Sequence, residues 1–252
     1  METKNDVYSA IGDDTLFTIE VEDTLNTSRA IRLGGHSNVC LKLGTHLIKK
    51  IVYGDTIFLD DAYIQLSEKK LFGITNYQRF DDIVILPFIE GYVTEDISVK
   101  EFMYLSEQIR QSGLMPKFTL FDLFDRYDYT PDSNLYAPVL KDINHVAHGD
   151  LAYINIVRTE DGIVPIDWEY FCYASKYWDL ACFLASLYVF EHANSKEIML
   201  KTEEVADPAM AALSVMLLCE YWVAWGAFTK HDFFPKELTE LRDDLYVELN
   251  LR

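Results

Sequence analysis

Three oxygen-bearing side chains in the second half of the chain could share one piece of chemistry. They are Asp150 in His148-Gly149-Asp150-Leu151, Asn155 five residues later, and Asp167 twelve residues after that. The stretch between the last two reads as a β-hairpin, because Ile154-Asn155-Ile156-Val157-Arg158 and Ile163-Val164-Pro165-Ile166-Asp167 flank Thr159-Glu160-Asp161-Gly162. Asp-Gly between two β-branched runs is a strong turn signal. Folding the hairpin sets Asn155, at the start of one arm, beside Asp167, at the end of the other. An amide oxygen and a carboxylate meeting at one point suit Mg²⁺, a hard cation that takes oxygen ligands and usually only a few from protein. Asp150, at the loop start, would then face a hydroxyl in line with a bound phosphate. A carboxylate to take a hydroxyl proton, ligands for a charge-neutralising metal, and close positioning are the parts that phosphoryl transfer needs. Taken singly, Asp150 would as readily cap a turn or helix. The ordered set, with Trp178-Asp179-Leu180-Ala181 downstream, carries the reading.

The elements that must position these residues fall into two parts. From Leu16 to about Gly91 the sequence offers short β-type runs at Leu16 to Ile19, Asn38 to Leu43, His46 to Tyr53 and Ile83 to Phe88, interrupted by one helical stretch over about Leu59 to Phe72. Beyond Gly91 long apolar-rich helical runs dominate, at Val99 to Gln111, Phe118 to Arg126, Trp178 to Glu191 and Pro208 to Thr229. An α+β chain follows, β-rich over residues 1–91 and mainly helical over 92–252. Half of the residues are hydrophobic and 14% aromatic, as a packed core requires, and no apolar run is expected to approach the roughly 18 residues that span a bilayer. The formal charge of −19 opposes nucleic acid and anionic membrane surfaces as partners and would draw a cation. The N-terminal residues lack the basic start and apolar stretch of a secretory signal, so the expected location is cytoplasmic. Cys40, Cys172, Cys182 and Cys219 stand far apart among apolar residues and read as buried free thiols.

HGDLAYIN, followed by IDWEY and WDLA, resembles the catalytic loop and metal motif of the kinase-like fold, in the form seen in the aminoglycoside phosphotransferase and choline kinase families. The resemblance runs from about Ile31 to Lys230 and is motif-specific only in its central third. It implies a bilobal, protein-kinase-like fold, with residues 1–91 as a nucleotide-binding lobe and 92–252 as a catalytic and acceptor-binding lobe. It implies ATP as phosphoryl donor, Mg²⁺ held by Asn155 and Asp167, Asp150 as base, His148 orienting the loop and Asp179 bracing it. Glu169 would assist a second metal or stand in solvent. In the first lobe Leu33-Gly34-Gly35-His36-Ser37-Asn38 would let backbone N–H groups approach phosphates, with Ser37 and Asn38 as nucleotide contacts. Either Lys49 or Lys50 would reach the α- and β-phosphates, since neighbouring strand residues point to opposite faces, with Asp60, Asp61 or Glu68 as acidic partner. The Phe88-Ile89-Glu90-Gly91 segment is similar to the family's hinge, and implies that backbone groups near Phe88 and Ile89 hold the adenine.

Two features resemble choline and ethanolamine kinases in particular: Ile166-Asp167-Trp168-Glu169-Tyr170, and Glu220-Tyr221-Trp222-Val223-Ala224-Trp225-Gly226. Trp222 and Trp225 share a helix face and, with Tyr170, would cage a quaternary ammonium by cation–π attraction. The competing reading is an ordinary core stripe. Choline or a related amino alcohol is the expected acceptor. Against it, the choline kinase pattern places an acidic residue seven positions after the Asp of WDLA, where this chain has Ser186, with Glu191 or Glu220 left to compensate. The His-Gly-Asp loop looks more like that of antibiotic phosphotransferases, which makes an aminoglycoside the alternative acceptor. A pseudokinase or adaptor that keeps the fold only for binding is the non-enzymatic alternative, and the intact Asp150, Asn155 and Asp167 argue against it.

Overall fold

The computed structural model describes residues 30–33, 39–50, 56–230 and 233–250, and the chain divides after Ile89 into two compact units. In the first, β1 (Ala30–Leu33), β2 (Val39–Leu43), β3 (His46–Lys50), β4 (Gln78–Phe80) and β5 (Ile83–Pro87) form one antiparallel sheet in the order β1-β2-β3-β5-β4. Ile83, Val84, Ile85 and Leu86 are all buried. A strand covered on both faces reads as a continuous apolar run, which is why this one stands out in the sequence. Helix α1 (Thr56–Lys69) adds Ala62, Tyr63 and Leu66 to this core. It stops at Lys70 and Phe72, whose left-handed backbones (φ 53° and 50°) cannot continue it, so the helix lies three residues earlier than the apolar pattern suggests. The β run at Leu16 to Ile19, the last residues of the His46 to Tyr53 run, and Ser37 and Asn38 lie outside the described residues.

The second unit contains α2 (Val99–Gln111), α3 (Leu120–Arg126), α4 (Ala137–Lys141), α5 (Trp178–Phe190), α6 (Ser195–Thr202), α7 (Pro208–Thr229) and α8 (Pro235–Asn250). Its strands are β6 (Tyr92–Val93), β7 (His145–Ala147), β8 (Ile156–Thr159), β9 (Gly162–Pro165) and β10 (Cys172–Ala174), which form a three-stranded sheet β6-β8-β9 and a two-stranded pair β10-β7. Helix α5 is apolar nearly all round and buried nearly all round, the mark of a helix at the centre of a core. Helix α7 packs against both α5 and α8. It starts where Asp207 accepts a hydrogen bond from Met210 N (3.1 Å) with Pro208 in the first turn, and ends at Lys230 in the left-handed conformation (φ 57°). By length and composition α7 could cross a membrane, which corrects the expectation that no run approaches that length; most of its residues are buried within this unit. Cys172, Cys182 and Cys219 are buried free thiols whose pKa is pushed up by burial, whereas Cys40 is only half-buried.

Candidate active site

Asp150 owes its place to the face of α5 that turns toward the chain after β7. Strand β7 pairs with β10, Ala147 opposite Cys172, and delivers His148, Gly149 and Asp150 at its end. The Asp179 carboxylate accepts from His148 N at 3.1 Å and from Gly149 N at 3.0 Å. The Trp178 indole N–H donates to Gly149 O at 3.0 Å, with the Cys182 thiol on the same oxygen at 3.6 Å. One turn on, the Ser186 hydroxyl accepts from Tyr153 N at 3.0 Å. Residues 178, 182 and 186 repeat every four positions, so a single helix stripe fixes the backbone on both sides of Asp150. Burial lifts the Asp179 carboxyl to about 6, against the pull of the two backbone N–H donors, so it remains ionised at neutral pH. Ser186, which stands where the choline kinase pattern has an acid, is fully buried and holds the loop.

Asn155 is placed by a single 3₁₀ turn, Tyr153–Asn155, at the head of β8. Its Nδ2 donates to Asp150 O at 2.8 Å and to Asp150 Oδ2 at 3.1 Å. Across the hairpin the Ile166 N–H donates to Asn155 O at 2.8 Å, and the His148 Nε2 meets Ile166 O at 2.9 Å. The Ile166 peptide is thus gripped on both sides, one residue before Asp167. Asp167 itself is left-handed (φ 67°), a conformation that Asp tolerates better than most residues and that turns the chain out of β9 at that point. The turn of the hairpin is made by Glu160 and Asp161, with Gly162 (φ 130°) already the first residue of β9 opposite Thr159, so Asp-Gly straddles the turn's end instead of filling it. His148 is fully buried, its ring tilted against Trp168 at 4.6 Å, with its Nδ1 at 3.4 Å from Asp150 N. An Nε2–H tautomer satisfies both nitrogens, which gives His148 an orienting task. Glu169 is buried, not solvent-exposed.

The donor set fits a hard cation that brings other ligands with it. With its Nδ2 turned to Asp150, the Asn155 amide presents its oxygen on the opposite side, and Asp167 follows directly on the Ile166 peptide that bonds Asn155 O. Among the described residues no group of three His, Cys, Asp or Glu side chains could hold a metal; Asn155 and Asp167 could offer one oxygen donor each to a cation such as Mg²⁺, which takes few ligands from protein when phosphate oxygens supply others.

In the first unit the strand register sets Lys49 between Cys40 and Val84 and Lys50 between Val39 and Ile83. Lys49 is buried (3% exposed), while the Lys50 ammonium lies 4.0 Å from Asp82 near the surface. Of the three acidic candidates on α1, Asp60 pairs with Arg79 at 2.8 Å and accepts from the Tyr77 hydroxyl, Glu68 is exposed, and Asp61 is buried. The Phe88 N–H donates to Thr45 O at 2.8 Å, which leaves Phe88 its carbonyl for any hinge contact.

The aromatic residues of α7 make several contacts of their own. The Trp225 indole N–H donates to the Tyr170 hydroxyl at 3.1 Å, and the Tyr170 backbone carbonyl presses on Gly149. Trp222 is nearly buried, and both tryptophans meet the ring of Phe233 edge-on at 5.5 Å. Phe233, which pattern reading missed, joins the two. Glu220 accepts from the Tyr129 and Tyr136 hydroxyls at 2.8 and 2.7 Å and lies 3.5 Å from Arg242, and Glu191 accepts from the Tyr153 hydroxyl. Both compensating acids are therefore engaged within the scaffold.

Solved structures resemble this fold. A choline/ethanolamine kinase family protein from Mesorhizobium loti matches over 89% of this chain and 88% of its own, with a TM-score of 0.59 at 18% identity. The chain has a choline/ethanolamine kinase-like fold. The choline kinase LicA from Streptococcus pneumoniae, also solved with AMP, matches this kinase-like fold over 89% of the chain and 94% of its own, with a TM-score of 0.60 at 18% identity. The amicoumacin kinase hAmiN, in complex with AMP-PNP, Ca²⁺ and Ami, matches over 87% of each chain with a TM-score of 0.57 at 12% identity. No family model matches the sequence, and no curated protein matches it.

Proposed function

We propose that this chain is a small-molecule kinase that moves the γ-phosphoryl group of ATP onto a hydroxyl of choline or a related amino alcohol. The observation that carries the proposal is the web joining Asp150, Asn155 and the Ile166–Asp167 peptide, in which every tie is a hydrogen bond of ordinary length. Asp150 accepts the acceptor's hydroxyl proton as that oxygen bonds to the γ-phosphorus and the bond to the β-phosphate oxygen breaks, releasing ADP. Asn155 aims the Asp150 carboxylate, and Asp179, Trp178 and Ser186 keep the loop from drifting, so positioning is built in before substrate arrives. Asn155 and Asp167 would hold Mg²⁺, which when bound neutralises charge on the β- and γ-phosphates. On the first unit, the buried Lys49 is the lysine suited to the α- and β-phosphates and Asp61 its suited acidic partner. Tyr170, Trp222 and Trp225, with Phe233, would receive the cationic end of the acceptor.

An antibiotic acceptor is the second reading, favoured by the His-Gly-Asp loop and the likeness to an antibiotic kinase fold. An ATP-consumption screen with Mg²⁺ over choline, ethanolamine, other amino alcohols and aminoglycosides separates the two. Turnover of choline in preference to aminoglycosides supports the first, the reverse order supports the second, and no turnover of any acceptor, with nucleotide binding intact, supports an adaptor.

A further inference from the structure

Tyr221 carries a buried hydroxyl that finds no hydrogen-bond partner among the described residues. The residue is 3% exposed, and its ring is packed by four aromatic neighbours, Phe124, Tyr127, Tyr129 and Trp178, at 5.6, 6.0, 6.4 and 5.9 Å. Polar groups around it are engaged elsewhere: Tyr127 with Tyr170, Tyr129 on Glu220, Trp178 on Gly149 O, and Trp225, one helical turn on, on Tyr170. A buried hydroxyl left unpaired costs stability, and phenylalanine would fill the same space without that cost. Such a group is retained where function uses it.

Tyr221 is linked to the loop of the proposed base through Trp178. Its ring lies against Trp178, whose indole holds the carbonyl of Gly149, the residue before Asp150. Burial raises its pKa far above the usual phenol value, and the charges of Tyr127 and then Asp150 add to that rise. On the other side Asn155 already steadies the same carboxylate.

We propose that Tyr221 is a positioning residue for Asp150, its hydroxyl directed at the carboxylate and closing to a hydrogen bond when an acceptor hydroxyl engages the loop. The inference rests on the kinase reading given above. Asp150 would then be held between an amide N–H and a phenol O–H, and the stability forgone in the free protein is recovered as orientation during turnover.

Tyr221→Phe keeps the ring and all four neighbours and removes only the oxygen. With Mg-ATP and the acceptor turned over best by the unaltered protein, the variant should lose about tenfold or more in kcat, the value of a hydrogen bond to a charged group. KM for ATP should be unchanged and Tm equal or higher. Unaltered kcat, or a fall in kcat that merely follows a fall in Tm, overturns the proposal. If the unaltered protein turns over no acceptor, the kinase reading is overturned and the proposal that rests on it falls with it, whereas turnover that Tyr221→Phe leaves unaltered overturns the proposal alone.

Discussion

Replacing Gly149 by alanine adds one methyl group at the point where the loop before Asp150 crosses the backbone of Tyr170. An alanine Cβ there would lie 1.9 Å from Tyr170 O and 2.6 Å from its carbonyl carbon, and φ is +90°. Reaching even the 3.0 Å below which Cβ contacts are essentially never found requires the two backbones to part by about 1.1 Å. That movement strains the Gly149 N–H bond to Asp179 and the Trp178 bond to Gly149 O, each worth about 1–3 kcal/mol when a buried partner is orphaned. A left-handed alanine adds about 1–2 kcal/mol. The expected total of about 3–8 kcal/mol lowers Tm by roughly 10–20 °C. Because Asp150 is the next residue, a displacement near 1 Å should also cut kcat by roughly a hundredfold. Gly162→Ala is the control, since φ there is +130° but nothing lies within 4 Å of the added Cβ. It should cost only backbone strain of about 1–3 kcal/mol and leave kcat near that of the unaltered protein. Differential scanning fluorimetry and a coupled ADP-release assay on the three proteins read both quantities. A Gly149→Ala variant with unaltered Tm and kcat, or one indistinguishable from Gly162→Ala, refutes the reasoning.

Other expectations follow from the same geometry. The Asp179 carboxyl is lifted from its ordinary 3.8 to about 6, so the native state binds its proton more tightly than the unfolded chain does. Its contribution to stability is therefore full below about 3.8 and is lost as pH rises through about 6, by about 3 kcal/mol. Melting curves across pH 4–7 should show a steeper decline for the unaltered protein than for Asp179→Asn, and parallel curves would contradict the assignment. Lys49→Ala should weaken nucleotide binding at least tenfold by calorimetry, whereas Lys50→Ala, which loses a long pair with Asp82 near the surface, should change stability by less than about 1 kcal/mol and spare nucleotide affinity. Trp225→Ala should raise KM for choline with KM for ATP unchanged, while the nearly buried Trp222→Ala should also lose about 3–5 kcal/mol of stability. Equal effects of both changes on the two KM values would mark these tryptophans as core alone.

Much of the site can be read in the sequence because its members are close along the chain. Asp150, Asn155 and Asp167 span only a loop and a hairpin, whose β-branched arms declare themselves. Helix α7 is equally plain, its ends marked by Asp207-Pro208 and by the left-handed Lys230. What escapes pattern reading depends on distant contacts or on very short elements. Nothing near Gly149 in the sequence tells that the carbonyl of Tyr170 will press on it. Alternation on β3 allows either Lys49 or Lys50 to face a ligand, and only the folded unit shows Lys49 buried and Lys50 drawn to Asp82. The strands β4, β6, β7 and β10, of two or three residues, are too short to show a period. Two signals were present but weak: the four-residue spacing of Trp178, Cys182 and Ser186, and the buried Leu238, Leu241 and Leu245 of α8 amid charged residues.

The central claim is that Asp150 takes a proton from an acceptor hydroxyl while Asn155 and Asp167 serve the nucleotide-bound metal. Phosphorus NMR of Mg-ATP with choline, run with the unaltered protein, Asp150→Asn and Asp167→Ala beside calorimetric titration of Mg-nucleotide, addresses it most directly. A phosphomonoester resonance should grow with ADP for the unaltered protein alone, with Mg-nucleotide affinity kept within a few-fold in Asp150→Asn and lost in Asp167→Ala. Phosphocholine formed at an undiminished rate by Asp150→Asn, or equal loss of nucleotide binding in both variants, would contradict it.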